Sequence, residues 1–311
     1  MITFGVWPGV VSADLVRLET FVDAPPEDVE RTAEALRDLA KGTERFYVRC
    51  YRHYRGTHEP TPPDPVPYLG DGRVVDYVLG YSSPEVDPGG FADAVRAAVR
   101  EVAELGGGKL QVCEEVNVAA PLDGGSPGCY DALGAGLAAA LDERTRLGAD
   151  VAIGFNAAVA LPGDPFWDAV RSAVDPEVLT RVDFLGLDFF PDVFRPVSAD
   201  ALPSAVTYVV QSFRESASAI GIPGSVPMHI TETGWPTGPE NSEEQQARVM
   251  ESVARTVFGL PEAGVDTYEI FGLRDGLSSG PRENRFGLLR DDYSAKPAYA
   301  MVQRLIAEHS A

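Results

Sequence analysis

The chain has 311 residues, 44% hydrophobic and 23% charged, a globular composition with ample apolar material for a core. Its formal net charge is −21, so nucleic acid and anionic membrane surfaces are poor partners, because both repel it. Three scattered cysteines, Cys50, Cys113 and Cys129, support neither a disulfide framework nor a structural zinc site.

In chain order, Ile2–Trp7 reads as a strand, and with no signal segment ahead of it the expectation is a soluble protein of the cytoplasm. Pro26–Ala40 follows as a helix with Val29, Ala33, Leu36 and Leu39 on one face. Phe46–Tyr51 is a second strand. The prolines between Thr57 and Tyr68 argue against a regular second helix. Val74–Leu79 is a strand, Phe91–Leu105 a helix, and Leu110–Cys113 a short strand running into Glu114 and Glu115. The spacing then predicts a helix over Tyr130–Leu147, a strand at Val151–Phe155, a helix at Pro165–Val174 and a strand at Val182–Leu187. Ala201–Ile220 is helical and Met228–Thr231 is a strand. Ser242, with Gln245 three residues on, opens a helix over Glu243–Phe258 through a capping box. Thr267–Phe271 is the last strand and Lys296–His309 the last helix. No apolar run approaches the roughly 18 residues of a membrane helix.

Eight strands separated mostly by helices demand parallel pairing with right-handed crossovers. The expected fold is α/β, a single (β/α)8 TIM barrel over residues 1–311, with an irregular segment replacing much of the second helix. An open doubly wound sheet is the rival, weakened because no Gly-x-Gly-x-x-Gly follows the first strand.

In such a barrel the chemistry sits at the C-terminal strand ends. Those ends carry Trp7; Arg49 and Tyr51; Glu114, Glu115 and Asn117; Asp188; Glu232 with Trp235 just beyond; and Tyr268. Acids on strands four and seven would face each other across the mouth, and glycosidic bonds are cut by such carboxylate pairs. In this reading Glu115 protonates the leaving oxygen, Glu232 attacks the anomeric carbon, and Arg49 keeps Glu232 ionised. Trp7, Arg49, Tyr51, Glu114, Asn117, Trp235 and Tyr268 would line the cleft and bind substrate, with Trp235 offering a flat face to a sugar ring. His229, three residues before Glu232, should point to the opposite side of its strand. No metal is expected, since His53, Glu114, Glu115, His229 and Glu232 show no metal-ligand spacing, and no cofactor is expected.

Val112-Cys-Glu-Glu115-Val116-Asn117 resembles the acid/base motif of the clan A glycoside hydrolases. Thr231-Glu232-Thr-Gly-Trp-Pro236 resembles the nucleophile motif of that clan's β-1,3-glucanase-like and galactanase-like members. Phe286-Gly-Leu-Leu289 and Lys296-Pro-Ala-Tyr299 are similar to its closing segment. The resemblance implies a retaining (β/α)8 enzyme with acid/base Glu115 and nucleophile Glu232, acting on an oligosaccharide or small glycoside. Two departures stand out: Glu114 occupies the place of an asparagine whose amide contacts the sugar, and Asp188-Phe-Phe occupies that of a histidine or tyrosine. If Glu114 faces the cleft, its charge should raise the pKa of Glu115. Beside the glycosidase reading stand a catalytically silent barrel that binds carbohydrate or a protein, and a barrel used as a scaffold.

Overall fold

A computed structural model describes residues 1–12, 23–56 and 62–310. Eight parallel strands close into a barrel in chain order, β1 (Thr3–Trp7), β2 (Phe46–Tyr54), β3 (Arg73–Tyr81), β4 (Gly108–Val112), β5 (Val151–Ala158), β6 (Phe184–Asp188), β7 (Met228–Thr233) and β8 (Val265–Phe271). β8 pairs back onto β1, with Gly5 beside Glu269 and Trp7 beside Phe271. Around it run α1 (Val29–Leu39), α2 (Pro88–Glu104), α3 (Cys129–Leu147), α4 (Pro165–Ala173), α5 (Pro176–Leu179), α6 (Leu202–Ala219), α7 (Glu243–Phe258) and α8 (Pro297–His309). This is the α/β TIM barrel expected from the alternation of strands and helices.

Local chemistry sets the helix ends. Asp28 caps α1 by accepting from the backbone N–H of Arg31. Ser242 and Gln245 form the reciprocal capping box of α7. α3 ends on Gly148 in the left-handed region, φ 62°. Between β2 and β3 the described residues contain only the single turn Val66–Tyr68. Pro62, Pro63, Pro65 and Pro67 have no N–H to give a helix there; residues 57–61 of the expected irregular stretch lie outside the described residues.

The apolar core lies between barrel and helices. Val6, Val48, Val75, Leu110, Ile153, Leu185, Ile230 and Ile270 point outward from successive strands, against side chains such as Leu36, Val95, Leu137, Phe213, Val253 and Leu305. Each is at most 3% exposed, so this layer carries the burial energy. The interior of the barrel is different. Where branched aliphatics usually fill layers, alternation here turns Arg49, Asp76, Lys109, Gln111, Asn156 and Glu269 inward, all 2% exposed or less. No helix of the described residues is long and apolar enough to cross a membrane.

Candidate active site

Two backbone irregularities build the mouth. In β4, Val112 faces the helices, so plain alternation would turn Cys113 inward and Glu114 outward. Cys113 adopts φ 65° and Glu115 φ 30°, left-handed values that side chains other than glycine rarely hold. The turn exchanges their faces. Cys113 is buried against Cys129 at the start of α3, and Glu114 reaches the barrel axis, where its Oε1 accepts from Arg49 Nη2 at 3.4 Å.

The second irregularity is in β7, where pairing with β6 shifts register between Leu187 and Asp188, so that Leu187 matches Ile230 but Asp188 matches Glu232. The extra residue brings Thr231 and Glu232 inward together. It also overturns the expectation for His229, which lies on the same inner side as Glu232 but deeper. Its ring stacks on Phe184 at 4.4 Å, its Nε2 meets Asp266 at 3.1 Å, and Lys109 Nζ lies 3.4 Å from Nδ1. Burial and the Lys109 charge push its pKa down to about 4, so it is neutral.

Glu232 is gripped from β2. The Tyr51 hydroxyl donates to Glu232 Oε1 and accepts from Arg49 Nε at 2.6 Å. Arg49 Nη2 lies 3.4 Å from the same carboxylate oxygen. Burial raises the Glu232 carboxyl, while Arg49, Tyr51 and Glu114 pull it back toward the ionised form. The structure places Arg49 against Glu232, and closer still to Asp76, at 2.6 Å.

Oxygens of Glu114, Asp188 and Glu232 lie within 4.8 Å of one another. Neighbours already engage them: Thr231 Oγ1 donates to Asp188 Oδ1 at 2.6 Å, Asn156 Nδ2 to both Asp188 and Glu114, and Gln111 Nε2 to Glu114 Oε2. Burial, with Asp188 and Glu232 close by, pushes Glu114 well above the usual carboxylate range.

Glu115 is half-buried, and its backbone N–H is fixed by Asn156 Oδ1 at 3.0 Å. Its carboxyl also stands well above the usual range, through burial first, then the charges of Asp188, Asp123 and Glu232, and a hydrogen bond with Asp123. The raised pKa expected of Glu115 is therefore present, but the leading neighbours responsible are on β6, β7 and the loop after β4; Glu114 is not among them. Asp123 is itself raised to about 7, mainly by burial and then by Glu232. It helps to line a cavity of about 390 Å³ with His53, Arg55, Ser82 and Glu114, at the ends of β2 to β4.

The remaining residues assigned from sequence divide. Trp7 stands half-buried at the mouth, edge-on to Tyr51 at 5.4 Å and stacked on Phe271 at 4.6 Å. Trp235 is 5% exposed and its Nε1 donates to Asp192 at 3.3 Å, so it braces the loop after β6 and offers no open face. Asn117 spends both amide atoms on the backbone of Ala158, tying the β4 loop to β5. Tyr268 points away from the mouth and packs on Phe258 of α7 and on Phe4; its place in β8, between inward Thr267 and Glu269, makes it an outer residue. Asp76, Gln111, Asp123 and Asn156 were not singled out. Asn156 left a trace, a lone amide in the apolar run Val151–Ala158. Asp123, in an irregular loop, left none.

No family profile matches the chain, and no curated protein matches it. Solved structures do. A GH5_18 protein of Streptomyces cattleya, in complex with Manb1-4GlcNAc, superposes with TM-score 0.66 and 17% identity, over 99% of this chain and 81% of that one. A glycoside hydrolase family 17 β-1,3-glucanosyltransferase of Rhizomucor miehei gives TM-score 0.58 and 16% identity over 95% and 96%. A β-D-glucuronidase of Dictyoglomus thermophilum gives TM-score 0.58 and 14% identity over 99% of this chain, which spans only 50% of that one. At such identities the likeness is one of fold: the chain shares the (β/α)8 architecture of these proteins, and its own acidic residues Glu114, Asp188 and Glu232 cluster at the C-terminal strand ends.

Proposed function

We propose that the protein is a retaining glycoside hydrolase acting on an oligosaccharide or small glycoside, with Glu232 as nucleophile and Glu115 as acid/base. The observation that carries this is the grip on Glu232. Tyr51 and Arg49 both address Oε1, which leaves Oε2 to attack the anomeric carbon. Of the two acids after β4, Glu115 suits proton transfer better. Glu114 is 5% exposed and bonded to Arg49, Gln111 and Asn156, whereas half-buried Glu115 can reach a glycosidic oxygen.

In the first step a Glu232 oxygen bonds to the anomeric carbon as the glycosidic bond breaks, and Glu115 gives its proton to the departing oxygen. Forming the ester removes the Glu232 charge. That charge is one of those holding Glu115 protonated, so the pKa of Glu115 falls at the moment it must act as base. It then takes a proton from water, whose oxygen displaces Glu232. Among substrates, a β-linked glucan or related saccharide fits the motif around Glu232. The domain assignment, one barrel over residues 1–311, belongs to the same proposal.

The test combines turnover with trapping. A panel of 4-nitrophenyl β-glycosides (glucoside, galactoside, mannoside, glucuronide) is screened, and the protein is incubated with the matching 2-deoxy-2-fluoroglycosyl fluorides. The expected result is hydrolysis of at least one glycoside, and a mass gain of one fluoroglycosyl group on the peptide holding Glu232, absent in Glu232→Ala. A label on another residue removes Glu232 from the nucleophile role. Neither label nor turnover favours the silent carbohydrate-binding barrel.

A further inference from the structure

The deepest charged groups of the barrel take no part in the chemistry above. Arg49 Nη1 donates to Asp76 Oδ2 at 2.6 Å, and the two side chains are 1% and 0% exposed. This is the shortest contact of the guanidinium with any carboxylate; those with Glu114 and Glu232 are 3.4 Å. Gln111 Oε1 accepts from Nη1 and Nη2 at 3.3 and 3.2 Å. A guanidinium is a rigid planar fork, so an anchor at one end fixes what the other end reaches. Below Asp76, Lys109 Nζ lies 3.6 Å from Oδ2 and is bonded to Glu269 Oε1. Lys109 sits over the rings of Tyr47 and Phe184. Acidic and basic groups thus alternate down the axis: Glu232, Arg49, Asp76, Lys109, Glu269.

Two oxygens in this column lack a partner, Asp76 Oδ1 and Glu269 Oε2, both buried. Two ionised carboxylates only accept, so neither can satisfy the other. Both residues lie against Lys109 Nζ and within hydrogen-bonding reach of each other, so one proton between them satisfies both. Gly5 of β1 leaves room for the Glu269 carboxyl, since a Cβ there would lie 2.9 Å from its Oε2. The groups facing the pair are Tyr47 and Arg49 from β2, Lys109 from β4, and His229 from β7, which lies against Lys109.

We propose that Asp76 is a positioning residue for the nucleophile: it shares one proton with Glu269 and anchors the guanidinium of Arg49 that faces Glu232. The pKa directions agree, since burial and Asp76 raise Glu269 to about 8, while Lys109 and Arg49 hold Asp76 below its ordinary value. The inference rests on the glycosidase reading, and the experiment separates the two. In Asp76→Asn the amide oxygen still accepts from Arg49, but the charge is gone. Arg49 then presents its uncompensated charge to Glu232, whose pKa falls. The acid limb of the kcat/KM–pH profile should move about one pH unit lower, with a fall of about tenfold on the plateau as the anchor loosens. Glu269→Gln places an N–H where the shared proton was and keeps an acceptor for Lys109. It should restore the acid limb and the plateau that Glu269→Ala disturbs.

A second readout is independent of turnover. A proton bound more tightly in the folded state makes stability fall as pH rises from about 4.5 to about 8, and Glu269→Gln should remove that slope from thermal unfolding. An active wild type whose acid limb stays fixed in Asp76→Asn while Tm drops overturns the positioning role alone. Glu269→Gln as damaging as Glu269→Ala, or an unchanged stability slope, overturns the shared proton. A wild type inactive on every glycoside overturns the positioning role together with the glycosidase reading.

Discussion

Tyr51→Phe removes one oxygen from the centre of the site and little else. The ring keeps its edge contact with Trp7 at 5.4 Å and its place under the Arg49 guanidinium at 4.9 Å. What is lost is the hydrogen bond to Glu232 Oε1 and the acceptor for Arg49 Nε. A hydrogen bond to a charged group contributes about 1.5–3 kcal/mol. Tyr51 lowers the Glu232 pKa because it bonds the ionised form, so its removal raises that pKa. At about 1.4 kcal/mol per unit, the acid limb of kcat/KM should rise by about 1–2 pH units. Below the limb, turnover falls about 10- to 100-fold; above it, much of the loss is recovered, because a more basic carboxylate is no worse a nucleophile. The assay is a pH–rate series on the best substrate of the panel. A uniform loss at every pH, with the limb in place, would refute the claim that Tyr51 sets the ionisation of Glu232.

Three other outcomes follow from the geometry. Glu115→Ala should slow glycosides with poor leaving groups at least tenfold more than activated 4-nitrophenyl glycosides, since good leaving groups need little protonation; equal losses would remove Glu115 from the acid role. Gly186→Ala places a Cβ 2.6 Å from Thr231 Oγ1 and 2.7 Å from the Asn156 Cβ, and overpacking of this kind costs about 1–3 kcal/mol, read as a lower urea midpoint. Asp123, raised from 3.8 to about 7 in the folded chain, holds a proton that the unfolded chain releases. Its contribution to stability is full below about pH 4 and is lost as pH rises to about 7, so Asp123→Asn should flatten part of that decline in Tm.

Strand–helix alternation was enough to recover the barrel, because the outward strand faces are mainly apolar and helices bury an apolar stripe, as in Ala33, Leu36 and Leu39 of α1. The prolines after β2 also spoke plainly. Of the residues expected at the mouth, Arg49, Tyr51 and Glu232 lie together there, each a polar type near a strand end. The site was illegible where the backbone leaves the period of two. The left-handed residues at Cys113 and Glu115 and the extra residue at Thr231 decide which acids face inward, and neither follows from composition. His229 was misplaced for that reason. Tyr268 was misplaced for a different one: a strand end carries residues of both faces, and an aromatic is as much at home under a helix. Lys109 is the one charge of β4, and Asp76 shares β3 only with Arg73 at its start; both are visible in the sequence, but their partners Arg49 and Glu269 come from other strands of the chain.

The polar interior has a consequence for how this barrel can change. The apolar material that holds the fold is a ring-shaped shell around the strands, and the axis inside it contributes charge pairs whose desolvation offsets much of their attraction. A variant in which Arg49, Asp76, Lys109, Gln111 and Glu269 became well-packed aliphatics should be as stable or more so. The shell and the axis can vary independently: the shell bears the chain's mechanical integrity, and the axis is free to be rewritten for another chemistry without refounding the fold.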